Sequence, residues 1–301
     1  MKPYFLCALH PSRPLSLRGT AEGDVGWVDW NERKVVAHWS TGQAGLSAVA
    51  LEPSSQRCAT LGKGLVKVWD DQREVGAYPI EGTNLAFAAG LLWVGRPGAL
   101  VALDPSTGEV RHELLEEKFS NLSLFAVHDK TLAWSSMAAA EVLVVDASTG
   151  SIKNRIESVG EIFALAIHPD GQRLAASLTG SGNTVMHAVQ IWKLETGLHE
   201  RKFSIPFQAM SLAISPDGSW VVTGDAMGAQ LWDYARGGPE RRFALRETAA
   251  VEGLGRIERP RAGLVTAVRF DGEQLVTDGH ELAVWGLSSG EREWALEVTG
   301  V

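Results

Sequence analysis

The feature that most constrains the fold of this chain is a residue pattern that recurs seven times along it. In each copy a short apolar run ends at one large apolar residue and a turn follows. The residues at this position are Trp30, Trp69, Leu103, Val145, Trp192, Trp232 and Trp285. Consecutive members are 39, 34, 42, 47, 40 and 53 residues apart. A period of about 40–45 residues is typical of one four-stranded blade of a β-propeller. Because one blade cannot bury both of its faces, such blades stack into a closed ring.

The repeat therefore predicts an all-β fold, a seven-bladed β-propeller of four-stranded antiparallel blades. Seven repeats use nearly all of the 301 residues, so we expect one domain over residues 1–301. The strand runs carry apolar residues on both alternations, as strands buried between blades do. The predicted blades lie near residues 4–39, 45–80, 83–115, 121–157, 160–205, 208–245 and 263–298.

The chain ends predict how the ring closes. Residues 4–10 align with the innermost strands of the other repeats, and residues 291–298 align with the outermost strands. We therefore expect each blade to be contiguous in sequence, with no exchange of strands between the N and C termini. Packing between the first and last blades would then close the ring.

Net charge and composition limit the partners and the cell compartment that we expect for this protein. The formal net charge of −8 and a pI near 5.5 do not favour general binding to nucleic acid or to an anionic membrane. No apolar run approaches the roughly 18 residues of a membrane span. The first eight residues are too short and too soon interrupted for a signal peptide, so we expect a cytoplasmic protein. The two cysteines, Cys7 and Cys58, are interpreted as buried thiols rather than a disulfide.

Signals of catalysis are weak. The sequence contains no Gly-x-Ser-x-Gly elbow, no His-x-x-x-His pair and no Cys-x-x-Cys cluster. Residues 62–64, Gly-Lys-Gly, are interpreted as a turn rather than a phosphate loop. Asp70, Asp104, Asp146 and Asp233 recur where repeat turns need a side-chain acceptor, which favours structure over catalysis. We therefore predict that the protein is not an enzyme and uses no cofactor or metal.

The repeats resemble those of the WD40 family across essentially the whole chain. The residues that carry the resemblance are Trp69-Asp70 and Trp232-Asp233 at the ends of apolar runs, and Pro-Asp-Gly turns at 169–171 and 216–218. Two other repeats, in which Leu-Asp and Val-Asp pairs precede Ser-Thr-Gly, look as much like quinoprotein-type propellers. The WD40 resemblance implies a non-enzymatic scaffold that binds a protein or peptide. The alternative is a propeller enzyme or small-ligand sensor that uses the central channel.

One departure from the WD40 pattern bears on stability. The Gly-His dipeptide that precedes the innermost strand in this family is missing, and Gly42-Gln43 is the nearest match. Without that histidine, the buried Asp-His-Ser-Trp hydrogen-bond network of the family cannot form in its usual way. We therefore expect the blades to depend more on apolar packing than on polar networks.

The resemblance also implies where a partner binds. WD40 propellers concentrate partner contacts on the face where each outer strand leads to the next innermost strand. By alignment, residues near this face in the last three blades are Glu161, Phe163, Phe207, Gln208, Met210, Leu264 and Thr266. Aromatic and methionine side chains on an exposed rim suit a protein interface. The alternative is that these side chains pack into the ring.

The longest gap between repeats adds a second element to the predicted surface. Residues 246–262 lie between the sixth and seventh blades, and they are interpreted as a long loop on the partner-binding face. The loop contains Arg246, Arg256, Arg259 and Arg261 with aliphatic residues between them, a pattern that suits an acidic partner surface with an apolar centre. A tolerated surface insertion is the alternative. The propeller itself is expected to be a monomer within a hetero-complex.

Overall fold

The computed structural model describes residues 6–137, 139–180, 186–251, 255–260 and 264–297, and within these only the backbone of 246–251, 255–260 and 297. The described residues form strands and turns, and none of them belongs to a helix long and apolar enough to cross a membrane. Blades one to four contain β1 (Leu6–Leu9), β2 (Leu15–Gly19), β3 (Asp24–Asp29), β4 (Lys34–Ser40), β5 (Leu46–Leu51), β6 (Arg57–Gly62), β7 (Leu65–Asp70), β8 (Arg73–Tyr78), β9 (Asn84–Ala88), β10 (Leu91–Arg96), β11 (Ala99–Leu103), β12 (Val110–Leu115), β13 (Ser123–His128), β14 (Thr131–Ser136), β15 (Glu141–Asp146) and β16 (Ile152–Glu157).

The remaining strands form three more blades and a separate hairpin. They are β17 (Glu161–Ile167), β18 (Arg173–Thr179), β19 (His187–Lys193), β20 (His199–Ile205), β21 (Ser211–Ile214), β22 (Trp220–Asp225), β23 (Gly228–Asp233), β24 (Pro239–Ala244), β25 (Arg246–Val251), β26 (Gly255–Pro260), β27 (Val265–Asp271), β28 (Gln274–Gly279), β29 (Glu281–Gly286) and β30 (Arg292–Glu297).

Seven four-stranded antiparallel sheets confirm the predicted propeller. Within each sheet the strands pair in chain order, so a blade is a four-stranded meander. β1 pairs with β2 in the first blade, and β27 to β30 complete the seventh without help from the N terminus. The expectation that the terminal strands are not exchanged is therefore confirmed for the described residues.

A register shift marks the same position in every blade and corrects one assignment. Where the third and fourth strands pair, the ladder shifts by one residue immediately before Trp69, Trp192 and Trp232, among others. In the first blade the shift falls before Val28, so placing Trp30 at this position is wrong by two residues. The prediction failed because Val28 has no distinctive side chain, and the next tryptophan was aligned instead. Trp30 donates from Nε1 to Asp271 of the last blade at 2.9 Å.

The core consists of apolar layers between neighbouring blades. One such layer joins Leu61 and Val68 of the second blade to Leu92 and Val94 of the third, all of them buried. Cys58 is fully buried, neither it nor Cys7 forms a disulfide, and burial raises the pKa of the Cys58 thiol. Removal of this apolar surface from water is the main stabilising contribution within the ring.

Polar networks contribute more than the sequence analysis expects. In the second blade Trp69 Nε1 donates to Thr60 Oγ1 at 3.0 Å, and Thr60 donates to Gln43 Oε1 at 2.5 Å. Gln43 Nε2 in turn donates to the carbonyl of Leu65 at 2.7 Å. Gln43 therefore replaces the missing histidine in a buried, hydrogen-bonded network. A buried polar network is thus present in this blade besides the apolar packing, because the glutamine amide supplies the acceptor that the hydroxyl needs.

The junction of the first and seventh blades contains a buried ion pair. Arg18 Nη2 lies 3.2 Å from Asp278 Oδ1 and donates to the carbonyl of Gly279 at 2.9 Å. Ser16 donates a hydrogen bond to the other carboxylate oxygen of Asp278. Arg18, Ser16 and Asp278 are all buried. Blades that are farthest apart in the sequence are thus joined by charge-assisted hydrogen bonds as well as by apolar contacts.

Candidate protein-binding face

The two faces of the ring are defined by which loops reach them. We call one of them the upper face. It holds the linkers from each outer strand to the next innermost strand, and the turns between the second and third strands of each blade. The lower face holds the other turns of each blade. The described interblade linkers of the upper face are 41–45, 79–83, 116–122, 158–160 and 206–210.

Exposed apolar side chains concentrate on the upper face. Among the described residues, Leu122, Val159, Met186, Phe207 and Met227 are large apolar residues in upper-face loops with at least a third of their surface exposed. In the lower-face turns that the structure describes, Leu198 is the one large apolar residue with comparable exposure. A set of exposed apolar loop residues that lies mostly on one face of a ring suits an interaction surface.

The predicted site residues differ in exposure. Glu161 and Phe207 are exposed, whereas the other described members of the set are at most partly exposed. Phe163 is the bulged residue of β17, because the ladder shifts between Ile162 and Ala164. Met210 occupies the corresponding place just before β21, where its amide donates to Gly224 O at 2.8 Å. The partly exposed members are Phe163, Gln208, Met210, Leu264 and Thr266.

The structure brings some of these residues together and separates others. β17 packs beside β21, so Phe163 on β17 and Met210 immediately before β21 lie at the same junction of innermost strands. Thr266 instead contacts the first blade, where its hydroxyl lies 3.3 Å from Cys7 Sγ. Leu264 lies in the linker to the seventh blade and accepts a hydrogen bond from the amide of His280. Phe163, Phe207 and Met210 therefore belong to the junction of the fifth and sixth blades, whereas Thr266 and Leu264 belong to the seventh.

Phe207 is held on a rigid charged support. The guanidinium carbon of Arg242 lies 5.5 Å from the centroid of the Phe207 ring. Arg242 is fixed in turn by two hydrogen bonds of 2.6 Å to the buried carboxylate of Asp225. Asp225 also accepts the amide of Met227 at 2.7 Å. The bidentate pair fixes the guanidinium, and the exposed Phe207 ring packs against that fixed cation on the upper face.

Sequence reasoning missed four residues of this surface. Met186 and Met227 lie in turns from second to third strands, which reach the same face as the interblade linkers. Arg242 and Asp225 are on different strands and meet only because of the sheet register. The two methionines could have been found by including both sets of loops, but the ion pair required the structure.

The insertion between the sixth and seventh blades is more ordered than a loop. β25 and β26 form an antiparallel hairpin in which Glu247 is paired with Arg259 across the strands. The interpretation of residues 246–262 as one long loop is therefore corrected for the described backbone. Arg246, Arg256 and Arg259 lie on these strands, but their side chains are outside the described part of the structure. Arg261 lies outside the described residues altogether.

Turn aspartates have structural roles in at least two blades. Asp104 Oδ1 accepts the amide of Ser106 at 2.9 Å, and Asp146 Oδ1 accepts the amide of Ser148 at the same distance. Hydrogen bonds from the serine hydroxyls hold the pKa of both carboxyls below the usual range. These carboxylates stabilise the turns in which they lie, as their sequence position predicts.

The alternative that uses the central channel has one structural counterpart. A cavity of about 630 Å³ lies at the lower mouth of the channel, with Phe87, Phe125 and Val127 among its lining residues and His128 and Asp129 at its edge. Within the described ranges, no group of three His, Cys, Asp or Glu residues could hold a metal ion. The cavity lining is more apolar than polar, and its polar side chains are Glu52, Ser54, Asn84, His128 and Asp129.

The fold and this face define a seven-bladed propeller with one apolar, loop-rich face, a form consistent with a protein-interaction scaffold. The family model described as "WD domain, G-beta repeat" matches residues 203–233, which run from the end of the fifth blade to the third strand of the sixth. This match and the seven blades together support a WD40-repeat propeller.

Solved structures give the same fold. The computationally designed Ika8 protein aligns with a TM-score of 0.69 and 16% identity over 98% of this chain and 87% of its own. A chain in a structure described as "Crystal Structure of Mitotic Checkpoint Complex" aligns with a TM-score of 0.61 and 14% identity, over 73% of this chain and 71% of its own. No curated protein sequence matches the chain. At these identities the likeness shows the fold alone.

Proposed function

We propose that the protein is a non-enzymatic scaffold that binds another protein or a peptide on the upper face of the propeller. The observation that carries the proposal is the exposed Phe207 ring packed on Arg242, whose partner Asp225 also accepts the amide of the exposed Met227. A large aromatic that is already ordered loses little entropy on binding, so it suits the centre of an interface. Methionines adapt to the shape of a partner.

The hairpin is proposed as the second part of the same docking surface. Its arginines would meet acidic groups of the partner, while Phe163, Phe207 and Met210 would cover an apolar centre. The net charge of −8 supports a protein partner rather than a nucleic acid or an anionic membrane. Two free thiols fit the reducing cytoplasm, where we place the protein, as a monomeric propeller within a hetero-complex.

The proposal predicts that loss of the aromatic anchor weakens partner capture. Tagged wild-type chain and Phe207→Ser would be compared as bait in the native cell, with captured proteins quantified by mass spectrometry. Affinity for the recovered partner is expected to fall about tenfold or more in Phe207→Ser, about 1.4 kcal/mol. Leu198→Ser is the matched control, because it removes an exposed apolar side chain from the lower face. Equal losses in both variants would contradict a binding role for the upper face.

The hairpin has its own test. Replacing residues 247–261 by a short Gly-Ser turn should leave thermal stability nearly unchanged, because the hairpin forms a separate two-stranded sheet. Affinity for the same partner is expected to fall about tenfold, or about 1.4 kcal/mol. The measurement is a binding isotherm with purified proteins, alongside a melting curve. An unchanged affinity would remove the hairpin from the docking surface.

A further inference from the structure

A pocket on the upper face, between the third and fourth blades, has no role in the surface described above. Its volume is about 450 Å³, and we call it the blade 3–4 pocket. Its apolar lining is Phe119, Ala139 and Ala140. The exposed Val159 directly follows the lining residue Ser158 in the chain. The pocket is lined by Lys118, Phe119, Ala139, Ala140, Glu141, Glu157 and Ser158.

Backbone and aromatic contacts fix the walls of this pocket. Phe119 is fully buried and meets Trp134 edge-to-face, with ring centroids 4.8 Å apart. The amide of Ser158 donates to Ala140 O at 2.8 Å, and the amide of Ile162 donates to Ala139 O at 2.9 Å. These bonds join the turn of the fourth blade to the following linker and to β17, so the walls of the pocket are held in place without a partner.

Across the described ranges, the negative charge around the pocket is not fully paired, and the unpaired carboxylate is that of Glu157. Arg155 Nη1 contacts Glu116 at 2.6 Å and Glu141 at 3.2 Å, so its charge is shared by two carboxylates. Glu157 is the direct cross-strand partner of Glu141, which places two like charges on the same side of the sheet. Within the described residues no cation forms an ion pair with Glu157. A cation supplied from outside would relieve this repulsion.

The position of Lys118 indicates where a cation from a partner would bind. Its Nζ lies 3.5 Å from Glu141 Oε2, a long contact, and its side chain is 72% exposed. An exposed pair at this distance contributes little to stability, so Lys118 is readily displaced. The pocket therefore offers a cation-binding position that is only loosely filled.

We propose that the blade 3–4 pocket receives a lysine or arginine side chain of the protein partner, with a neighbouring aliphatic residue packed on Val159. The aliphatic stem would lie against Ala139 and Ala140, and the charged head would meet Glu157. Charge complementarity and the exposed Val159 together favour a basic segment with aliphatic neighbours. This inference rests on the proposed function, since it assigns a second contact to the same partner.

The pocket can be tested without the partner. The probe is a capped pentapeptide with a central arginine between leucines, compared with the same peptide carrying neutral citrulline. Binding to the full chain would be followed by NMR of the alanine methyl groups. We expect the arginine peptide to bind about fivefold more tightly. Glu157→Gln should abolish this preference, Lys118→Ala should increase it, and Glu195→Gln on the lower face should leave it unchanged. Equal binding of the two peptides, or equal effects of Glu157→Gln and Glu195→Gln, would overturn the proposal.

Binding of the captured partner to two variants tests this inference separately from the proposed function. If Glu157→Gln and Phe207→Ser both weaken its binding, the pocket and the anchor belong to one docking surface. If only Phe207→Ser does so, the pocket assignment is wrong and the proposed function stands. If neither variant weakens binding, the proposed function is wrong as well. Self-association that Glu157→Gln abolishes would assign the pocket to a second copy of this chain and overturn the assignment to a different protein.

Discussion

Replacing Trp232 by alanine is expected to lower the free energy of unfolding by about 3–5 kcal/mol. The side chain is 3% exposed and lies in the apolar layer between the fifth and sixth blades, where its ring centroid is 5.6 Å from that of Phe203. Its Nε1 donates to Thr223 Oγ1 at 2.9 Å, so the substitution also leaves a buried hydroxyl without this donor. Trp192, buried between the fourth and fifth blades, should give a loss of the same size.

Urea denaturation followed by circular dichroism would measure both losses. Trp232→Phe is the informative control, because it keeps an aromatic ring between the blades while it removes the hydrogen bond and part of the buried volume. We expect it to cost about 1–2 kcal/mol, well below the alanine variant. Losses under about 1 kcal/mol for both Trp192→Ala and Trp232→Ala would mean that these residues do not hold neighbouring blades together.

The blade count was predictable because it depends on a long-range period. One third-strand ending is a weak signal, but seven in phase leave few alternatives to a closed ring. The position of the repeat within a blade was less certain, as Trp30 shows. That position is set by a register shift between the third and fourth strands, which in the first blade falls before Val28. Tryptophan often follows such a shift but does not always do so. A pattern of side chains cannot reveal a shift where the side chain is ordinary.

The docking surface was predictable only in outline. Alignment of the linkers pointed to Phe207, which the structure exposes on the upper face. The Arg242–Asp225 support joins residues from two strands of one blade, and their meeting depends on register. The blade 3–4 pocket depends in the same way on backbone bonds between a turn and a linker, such as Ser158 to Ala140. Contacts of this kind have no local sequence signature.

The insertion shows why length alone is a poor guide to order. Seventeen residues without a clear alternation indicate a loop, yet β25 and β26 pair over six positions. The sequence signal for a hairpin is weak, because residues 252–254 contain none of the two-residue sequences, such as Asn-Gly, that mark a tight hairpin turn. The opposite charges of Glu247 and Arg259 at paired positions became visible only once the register was known.

Breaking the ion pair at the junction of the first and last blades is the other change with a large expected effect. Arg18→Ala or Asp278→Ala should each cost about 3–5 kcal/mol of unfolding free energy, because either one leaves a buried charge without its partner. The loss would be measured by chemical denaturation at neutral pH. Because this junction joins the first blade to the last rather than two blades that follow each other in the chain, we expect it to open before the other interfaces.

Two further measurements distinguish a closing contact from an ordinary buried pair. The double variant Arg18→Met, Asp278→Leu fills the same space without charge, and it should recover most of the stability that either single variant loses. Hydrogen exchange in Asp278→Ala should rise first in β1 and β28 and least in blades three to five, which lie across the ring. If exchange instead rises uniformly, or if both single variants lose less than about 1 kcal/mol, the ion pair does not hold the ring closed. The apolar contacts of Val28, Val276 and Leu282 would then be sufficient to join the first blade to the last.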